Sequence, residues 1–269
     1  MSKQKDQWLV ITDLDGTLLN HDSYNFDAAK KAIIDLQKKS IPVILNTSKT
    51  YAETKTIRQV LGLVDPFIVE NGSSIYLPKN QFNKPVNASS REDYWELLLG
   101  ASQKKIAEVL QNIKLTENNC IRFSQCTIEQ AVALTGLSDE QAAQAINREF
   151  SEPLIWQADE TTLLELQQQL KLNAMTTLQG GRFLHVIGDC DKGRAVTRLG
   201  ACYADNVKTI ILGDSANDAA MLSVADIAVI VNSPSNHQLR KLVSPDIQTK
   251  AAAPEGWQEA INEVLMQIN

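Results

Sequence analysis

The 269-residue sequence contains few cysteines, and the four present are scattered along the chain. They show neither the Cys-x-x-Cys spacing nor the neighbouring histidines that indicate a zinc site. A chain of this length can bury a sizeable apolar core, so it does not depend on disulfide bonds for stability. We therefore expect free thiols in a reducing compartment, and we predict a cytoplasmic protein.

Basic stretches and long apolar runs are also missing. The formal net charge is −6 and no basic stripe is visible, so nucleic acid is not expected as a partner. The chain has no run of about eighteen apolar residues, which argues against a membrane as partner. Residues 1–7 are polar and lack the apolar core of an export signal. The composition is that of an ordinary soluble globular protein.

The most informative stretch that is present lies at residues 9–19. An apolar run ends in Asp13 and Asp15, which flank a single leucine, and Gly16 follows. A run of this kind is typical of a buried parallel strand, and the carboxyl ends of such strands are where open α/β sheets place their chemistry. Two carboxylates this close repel each other unless a cation lies near them. The stretch therefore predicts a catalytic strand end.

Strand and helix patterns alternate on both sides of an insert. Apolar runs at 43–46 and 67–69 alternate with helical patterns, and the alternation resumes after residue 192. This order indicates an α/β fold with a Rossmann-like, doubly wound parallel sheet. We assign residues 1–82 and 187–269 to this core.

Residues 83–186 have a different pattern. Their clearest feature is a hairpin at 175–186, where two alternating runs flank Gly180 and Gly181. Hairpin strands together with helices predict an inserted α+β cap domain over the core. Helices are predicted around 94–100, 104–112, 128–134 and 138–148.

Polar residues follow several predicted core strands, and a lysine opens a predicted helix. Because parallel strands end at the same edge of a sheet, these side chains are expected to converge. Carboxylates at this density suit Mg²⁺, and a cation together with a lysine and a hydroxyl would neutralise a phosphoryl group. One aspartate can attack phosphorus while the other moves a proton. The residues are Asp13, Asp15, Thr47, Ser48, Lys192, Asp214, Asn217 and Asp218.

These motifs, in their order, resemble those of the haloacid dehalogenase superfamily phosphatases, and the insert resembles the Cof-like (C2B) cap of that superfamily. The resemblance implies that Asp13 is the nucleophile and a metal ligand. It implies that Asp15 is the acid/base and binds Mg²⁺ through its backbone carbonyl, and that Asp214 is the third ligand, with Asn217 and Asp218 anchoring the ion. Thr47, Ser48 and Lys192 are then phosphate-binding. The motifs are Asp13-Leu14-Asp15-Gly16-Thr17, Thr47, Lys192, and Gly213-Asp214 with Asn217-Asp218.

The sequence has three further motifs, at residues 46–50, at residues 148–153, and at residues 181–186 with Gly188. They resemble those of the mannosyl-3-phosphoglycerate phosphatases more closely. This resemblance implies hydrolysis of a small phosphorylated sugar, 2-O-(α-mannosyl)-3-phosphoglycerate, through an aspartyl-phosphate. Such a substrate also carries a carboxylate, so Lys49, Arg148 and Arg182 are expected to bind it. Asn71 and Gly72, in the strand-end motif at 70–72, are also expected to bind substrate.

Several alternatives remain open at this stage. A phosphatase for glucosyl-3-phosphoglycerate or another sugar phosphate would share every core residue, and a sugar phosphomutase would use the same aspartyl-phosphate. A non-catalytic metabolite-binding module is disfavoured because Asp13 would be useless there. Arg148 and Arg182 could be surface charges or members of ion pairs within the cap, and His185 is expected to be packed or on the surface. Monomer and homodimer are equally compatible with the sequence.

Overall fold

The computed structural model describes residues 7–21, 23–113, 115–116, 118–180, 182–203 and 207–268. Within them the chain forms thirteen β-strands and ten α-helices. The strands are β1 (Gln7–Thr12), β2 (Val43–Asn46), β3 (Phe67–Val69), β4 (Ser74–Pro78), β5 (Ser89–Arg91), β6 (Tyr94–Leu98), β7 (Cys120–Arg122), β8 (Ser151–Trp156), β9 (Met175–Gly180), β10 (Phe183–Gly188), β11 (Val207–Gly213), β12 (Ile227–Asn232) and β13 (Ile247–Ala252). The helices are α1 (Lys30–Lys38), α2 (Tyr51–Leu61), α3 (Gln103–Asn112), α4 (Ile128–Thr135), α5 (Asp139–Ile146), α6 (Glu160–Lys171), α7 (Lys192–Gly200), α8 (Ala219–Leu222), α9 (Asn236–Leu242) and α10 (Glu255–Gln267).

The strands form one large sheet and one small sheet. The large sheet has the order β13-β12-β11-β1-β2-β3-β4-β6-β5. It is parallel from β13 to β3 and antiparallel beyond β3. The small sheet has the order β7-β8-β10-β9 and is antiparallel throughout. The predicted α/β fold with a Rossmann-like parallel sheet and an inserted cap is confirmed.

Both faces of the large sheet are covered, which explains why its central strands are apolar throughout. Val10 and Leu45 face α1, α2 and α10, where they pack in one cluster with Trp257. Leu9 and Ile11 face the other way and pack with residues of α7, α8 and α9. A fully buried aliphatic side chain contributes about 1.5–3 kcal/mol relative to an exposed one. The strand that leads into Asp13 is therefore held by apolar packing on both faces of the sheet.

The segment 89–98 belongs to the large sheet. The helix predicted around 94–100 is wrong, because β6 pairs with β4 on one side and with β5 on the other. Its residues alternate between the two apolar clusters, with Tyr94 in one and Leu97 in the other, so packing across the sheet decides the structure. Part of the segment predicted as cap, 83–186, is thus attached to the core. We propose that the core extends to the end of β6 and that the cap begins after it.

The small sheet lies over the carboxyl edge of the large one. The predicted hairpin at 175–186 is present as β9 and β10. One face of the small sheet packs against α3 and α6 through residues such as Leu154 and Val186. The cap approaches the core where β9 lies beside Ala216–Asp218 and where α5 lies against α2. The other face of the small sheet is therefore directed at the site described below.

None of the helices in the described ranges is long and apolar enough to cross a membrane.

Candidate active site

Three adjacent strands of the large sheet carry the first site residues. β1 lies between β11 and β2, so Asp13, Asp214 and Thr47, which directly follow these strands, meet at one edge. The backbone N–H of Asp13 donates to the carbonyl of Leu212 at 3.0 Å, which continues the β1–β11 pairing by one residue. The position of Asp13 is therefore set by the backbone of the sheet.

Lys192 reaches this edge from the start of α7. Its Nζ lies 2.8 Å from Oδ1 of Asp13 and 2.7 Å from Oδ1 of Asp218, and its side chain has no exposed surface. The helix begins here because the side chain of Asp191 accepts the backbone N–H of Arg194. Burial by itself would lower the pKa of Lys192, but the two carboxylates outweigh burial and raise it. Lys192 is thus a buried cation beside Asp13.

Asp218 is expected among the metal ligands, yet both of its carboxylate oxygens already have partners. Oδ1 accepts from Lys192, and Oδ2 accepts from the backbone N–H groups of Asp214 at 3.0 Å and Ser215 at 3.1 Å. Asn217, also expected near the metal, accepts a bond from the hydroxyl of Ser215 at 2.5 Å. Asp218 therefore holds both Lys192 and the loop that carries Asp214. Metal contacts of Asn217 and Asp218 stay predictions.

Asp214 is positioned by the turn after β1. Oγ1 of Thr17 donates to Oδ1 of Asp214 at 3.0 Å. Gly16 has φ of +78°, and a Cβ added there would lie 2.6 Å from Oδ2 of Asp214. Glycine is needed at this position for the left-handed turn and also for the close approach of the carboxylate.

The acidic side chains lie close enough to share one cation. Among the residues that the structure describes, Asp13, Asp214 and Asp218 form a group whose ligand atoms lie within 4.8 Å of one another. Burial, more than any other cause, raises the pKa of Asp13 to about 8 and the pKa of Asp214 to about 7, and repulsion from Asp218 adds to both shifts. A cation would relieve this repulsion, and carboxylate oxygens are the ligands that Mg²⁺ prefers. The donor set therefore fits Mg²⁺, with Asp13 and Asp214 as the side chains that would hold it.

Asp15 is paired with Lys49. Nζ of Lys49 lies 2.8 Å from Oδ2 of Asp15 and 4.9 Å from the centre of the Tyr24 ring. Burial by itself would lower the pKa of Lys49, but the negative charges of Asp15 and Glu53 together outweigh burial and raise it. Oδ1 of Asp15 is buried and has no hydrogen-bond partner within the described part of the chain. An unpartnered carboxylate oxygen in a cleft can exchange a proton with a bound molecule.

The turn between β2 and α2 holds Thr47 and Ser48. The backbone N–H of Thr47 donates to the carbonyl of Ile68 at 3.1 Å, and its Oγ1 accepts the N–H of Lys49 at 3.1 Å. The side chain of Thr50 caps α2. The hydroxyl of Thr47 can still donate a hydrogen bond of its own. Phosphate binding by Thr47 and Ser48 is compatible with this geometry and stays a prediction.

The small sheet encloses this edge in a cleft of about 460 Å³. This is the size of a site for a small molecule. Core residues Asp13, Asp15, Ser48, Lys49 and Asp214 line it together with cap residues Arg148, Pro153, Gly180, Arg182 and His185. Residues far apart in the sequence thus meet in one cavity.

Arg148 connects the cap to the core at the cleft wall. Its guanidinium donates to the carbonyl of Ser48 at 2.9 Å and to Oγ of Ser151 at 3.1 Å. A carboxylate oxygen of the buried Glu70 lies 3.9 Å away, and Glu70 also accepts the backbone N–H of Glu149 at 2.9 Å. Arg148 is therefore held at the cleft by core and cap together, and it is not a free surface charge.

The three other predicted substrate residues differ in position. Arg182 lines the cleft and donates to the carbonyl of Leu134 within the cap. Asn71 and Gly72 are buried behind the start of α7, where a Cβ at Gly72 would lie 2.2 Å from the carbonyl oxygen of Asp191. They are not among the residues that line the cleft. The substrate-binding roles of all three stay predictions.

Sequence reasoning missed three residues of the site. Thr17, which donates a hydrogen bond to Asp214, belongs to the Asp-x-Asp-Gly-Thr motif, so the motif could have indicated that Thr17 is part of the site. Tyr24 lies beside Lys49, and no motif in the sequence around it indicates a role in the site. His185 was expected to be packed or on the surface, and it is buried in the wall of the cleft. Its alternation with Leu184 and Val186 along the predicted strand was the signal that could have placed it there.

The sequence matches a described family and several curated proteins. Residues 10–244 match the haloacid dehalogenase-like hydrolases. A glucosyl-3-phosphoglycerate/mannosyl-3-phosphoglycerate phosphatase from Persephonella marina is 35% identical over 267 residues, 97% of this chain and 98% of that protein. A mannosyl-3-phosphoglycerate phosphatase from Pyrococcus furiosus is 32% identical over 226 residues, 83% of this chain and 90% of that protein.

Solved structures also resemble the chain. One is a protein from Bacteroides thetaiotaomicron described among phosphatases of the haloalkanoate (HAD) enzyme superfamily, with a TM-score of 0.70. The match covers 100% of this chain and 98% of the other at 13% identity. At this level of identity the likeness shows a shared fold.

Proposed function

The chain belongs to the haloacid dehalogenase-like hydrolase family, and on this basis we propose that it is a cytoplasmic, Mg²⁺-dependent phosphatase. Its substrate is 2-O-(α-mannosyl)-3-phosphoglycerate, which it converts to mannosylglycerate and inorganic phosphate. The curated relatives, which match most of the chain at 32–35% identity, carry phosphatase names and support this substrate class. The free cysteines, Cys120, Cys126, Cys190 and Cys202, support the compartment.

One observation carries the proposal. The carboxylate of Asp13 lies at the floor of a cleft, 2.8 Å from the buried ammonium group of Lys192 and beside Asp214. A carboxylate in these surroundings is oriented for attack, and the adjacent cation can stabilise the charge of a bound phosphoryl group. A purely structural ion pair would not need an open cleft above it.

The reaction proceeds in two steps, in which Asp13 acts as the nucleophile and Asp15 moves the proton. In the first, a carboxylate oxygen of Asp13 forms a bond to phosphorus as the ester bond to the glycerate oxygen breaks, and Asp15 donates a proton to that oxygen. In the second, Asp15 removes a proton from water, which attacks phosphorus and releases phosphate from Asp13. Lys192, Thr47 and Ser48 bind the phosphoryl oxygens. Asp13 and Asp214 would hold Mg²⁺, which would supply positive charge that offsets the negative charge of the phosphoryl group.

The cap supplies charge for the rest of the substrate. A phosphoglycerate carries a carboxylate besides its phosphate, and Arg148 and Arg182 line the cleft on the cap side. Planar guanidinium groups bind carboxylates through paired hydrogen bonds. Lys49 is a third cation in the cleft, although its resting partner is Asp15. Closure of the cap over the substrate would also exclude water from the aspartyl-phosphate.

A second candidate substrate is glucosyl-3-phosphoglycerate. The relative from Persephonella marina bears both sugar names, and it matches this chain over nearly its whole length. The two substrates differ at a single hydroxyl configuration, so the same charged groups would bind both. We propose the glucosyl compound as an alternative substrate of the same site.

A phosphate-release assay across a panel of substrates tests this proposal. The panel contains both glycosyl-3-phosphoglycerates, 3-phosphoglycerate, mannose 6-phosphate and glucose 6-phosphate, each with Mg²⁺ and with excess chelator. We expect the highest kcat/KM for a glycosyl-3-phosphoglycerate and loss of activity in chelator. A preference for simple hexose phosphates would contradict the substrate. Conversion between sugar phosphate isomers without phosphate release would instead indicate a phosphomutase.

A further inference from the structure

His185 lies on the face of the cap sheet that looks into the cleft. Its neighbours along β10, Leu184 and Val186, belong to the apolar core of the cap on the opposite face. His185 pairs across the sheet with Pro153, and both residues line the cleft together with Asp13. Strand alternation therefore places the polar side chain of His185 on the cleft side of the cap sheet.

The imidazole ring of His185 is closely packed, but one of its two nitrogens has no hydrogen bond. The residue has 4% of its surface exposed, and its Nδ1 has no hydrogen-bond partner among the described residues. On the other side of the ring, a Cβ at Gly180 would lie 3.0 Å from Nε2, so β9 packs closely against that edge. Buried polar atoms in proteins are nearly always hydrogen-bonded, so an unpartnered nitrogen in the wall of a binding cleft is a candidate partner for a ligand group. Nδ1 has almost no accessible surface in this structure, so a ligand reaches it once the ring turns or the cap moves.

The surroundings of His185 decide which kind of partner fits. Burial, together with the positive charges of Arg148 and Lys192, lowers the pKa of His185 to about 3. The imidazole is therefore neutral at physiological pH and adds no charge for a carboxylate or phosphate. A neutral imidazole nitrogen either donates or accepts, depending on the tautomer, and a hydroxyl group can satisfy both cases. The chemistry points to an uncharged, hydroxyl-bearing part of the substrate.

We propose that His185 is a specificity-determining residue whose Nδ1 forms a hydrogen bond with a hydroxyl group on the leaving part of the substrate. The proposal deepens the proposed function, on which it rests for the site and for a hydroxyl-bearing leaving group. The charged residues of the cleft select the anionic groups, and His185 selects a sugar hydroxyl that lies beneath the cap.

The test compares two substitutions at one position. His185→Leu removes the polar atom, and His185→Asn retains a polar atom close to the position of Nδ1. For each variant, kcat/KM is measured on the preferred hydroxyl-bearing substrate of the panel and on 4-nitrophenyl phosphate, whose leaving group has no hydroxyl before cleavage. The readout is the ratio of the two values, because a misfolded fraction lowers both equally. His237→Leu, the same change at an exposed histidine outside the cleft, is the matched control.

We expect His185→Leu to reduce this ratio about 10- to 100-fold, the effect of losing one hydrogen bond to a buried group. His185→Asn is expected to recover most of the ratio, and His237→Leu to leave it unchanged. Equal losses on both substrates, or no loss, would overturn the proposal. If His185→Leu does not fold, His185→Gln, which moves the polar atom toward the Nε2 position, is expected to show the same loss of ratio.

The same measurements distinguish this proposal from the proposed function. If the wild-type protein prefers another phosphorylated sugar, the proposed substrate is wrong, while the ratio for that sugar still tests His185. If the wild-type protein shows no preference for any hydroxyl-bearing ester over 4-nitrophenyl phosphate, both proposals are wrong.

Discussion

Replacing Asp218 by asparagine tests the arrangement of charges under the cleft. The carboxylate accepts three hydrogen bonds, one from Lys192 at 2.7 Å and two from backbone N–H groups at 3.0 and 3.1 Å. An asparagine has a single acceptor oxygen, so its amide group would face either Lys192 or the two backbone donors. At least one donor would then be buried without a partner.

The size of the effect follows from these contacts. Removing one partner of a buried ion pair costs about 3–5 kcal/mol. The loss of one negative charge also relieves the repulsion that raises the pKa values of Asp13 and Asp214, which offsets part of that cost. We therefore expect Asp218→Asn to lower the free energy of unfolding by about 3 kcal/mol in the absence of Mg²⁺.

Urea denaturation in chelator measures this loss. Asp189→Asn is the matched control, because the same chemical change there removes a pair with Arg194 in which both side chains are more than half exposed. Such surface pairs contribute little. A loss below about 1 kcal/mol for Asp218→Asn, or a loss equal to that of the control, would refute the assignment of Asp218 as the residue that holds Lys192 and the Asp214 loop.

Two further predictions concern the cation site. Gly16→Ala places a methyl group against the carboxylate of Asp214, so we expect it to raise the Mg²⁺ concentration required for half-maximal activity. The control, Gly62→Ala, changes another left-handed glycine with open space around it and should reduce stability alone. Equal Mg²⁺ requirements for the two variants would contradict this prediction. Because burial raises the pKa values of Asp13 and Asp214 to about 8 and 7, their contribution to the stability of the metal-free protein is full below about pH 4 and is lost as pH rises through these values. Thermal melts across roughly pH 5 to 9 should therefore show a stabilisation by Mg²⁺ that grows with pH, and one that shrinks with pH would contradict the assignment.

The central strands and the residues at their ends could be predicted from the sequence. The run before Asp13 is apolar because the sheet is covered on both faces, and the run ends where two carboxylates and Gly16 begin. Parallel strand order then brings Asp13, Thr47 and Asp214 to one edge without any knowledge of side-chain positions. These features are local in sequence or follow from topology, which explains why patterns alone were enough.

The partners of the charged residues could not be predicted. Asp218 and Lys192 are 26 positions apart, and their contact depends on how α7 packs against the loop after β11. Lys49 was expected to contact a substrate carboxylate, whereas its nearest partner is Asp15, because a long lysine side chain can reach several positions around its backbone. Sequence spacing does not fix such choices.

Local preference also failed where tertiary contacts decide the structure. Residues 94–100 contain leucine and glutamate, which favour helices, yet β6 is a strand because β4 and β5 flank it. The same contacts attach the segment to the core sheet. His185 was expected to be packed or on the surface, and it is buried. Its place in the cleft wall could not be predicted, since whether a strand residue faces the solvent or a cleft depends on what lies across the gap.

Acid quenching during turnover tests the central claim, that Asp13 is the nucleophile, most directly. The preferred substrate is mixed with enzyme and Mg²⁺, the reaction is stopped within the first turnovers, and the peptides are examined by mass spectrometry. We predict a phosphoryl group on the peptide that contains Asp13, absent in Asp13→Asn, together with loss of phosphate release in that variant. Phosphate release by Asp13→Asn at the wild-type rate, or a phosphoryl group on another residue, would contradict the account.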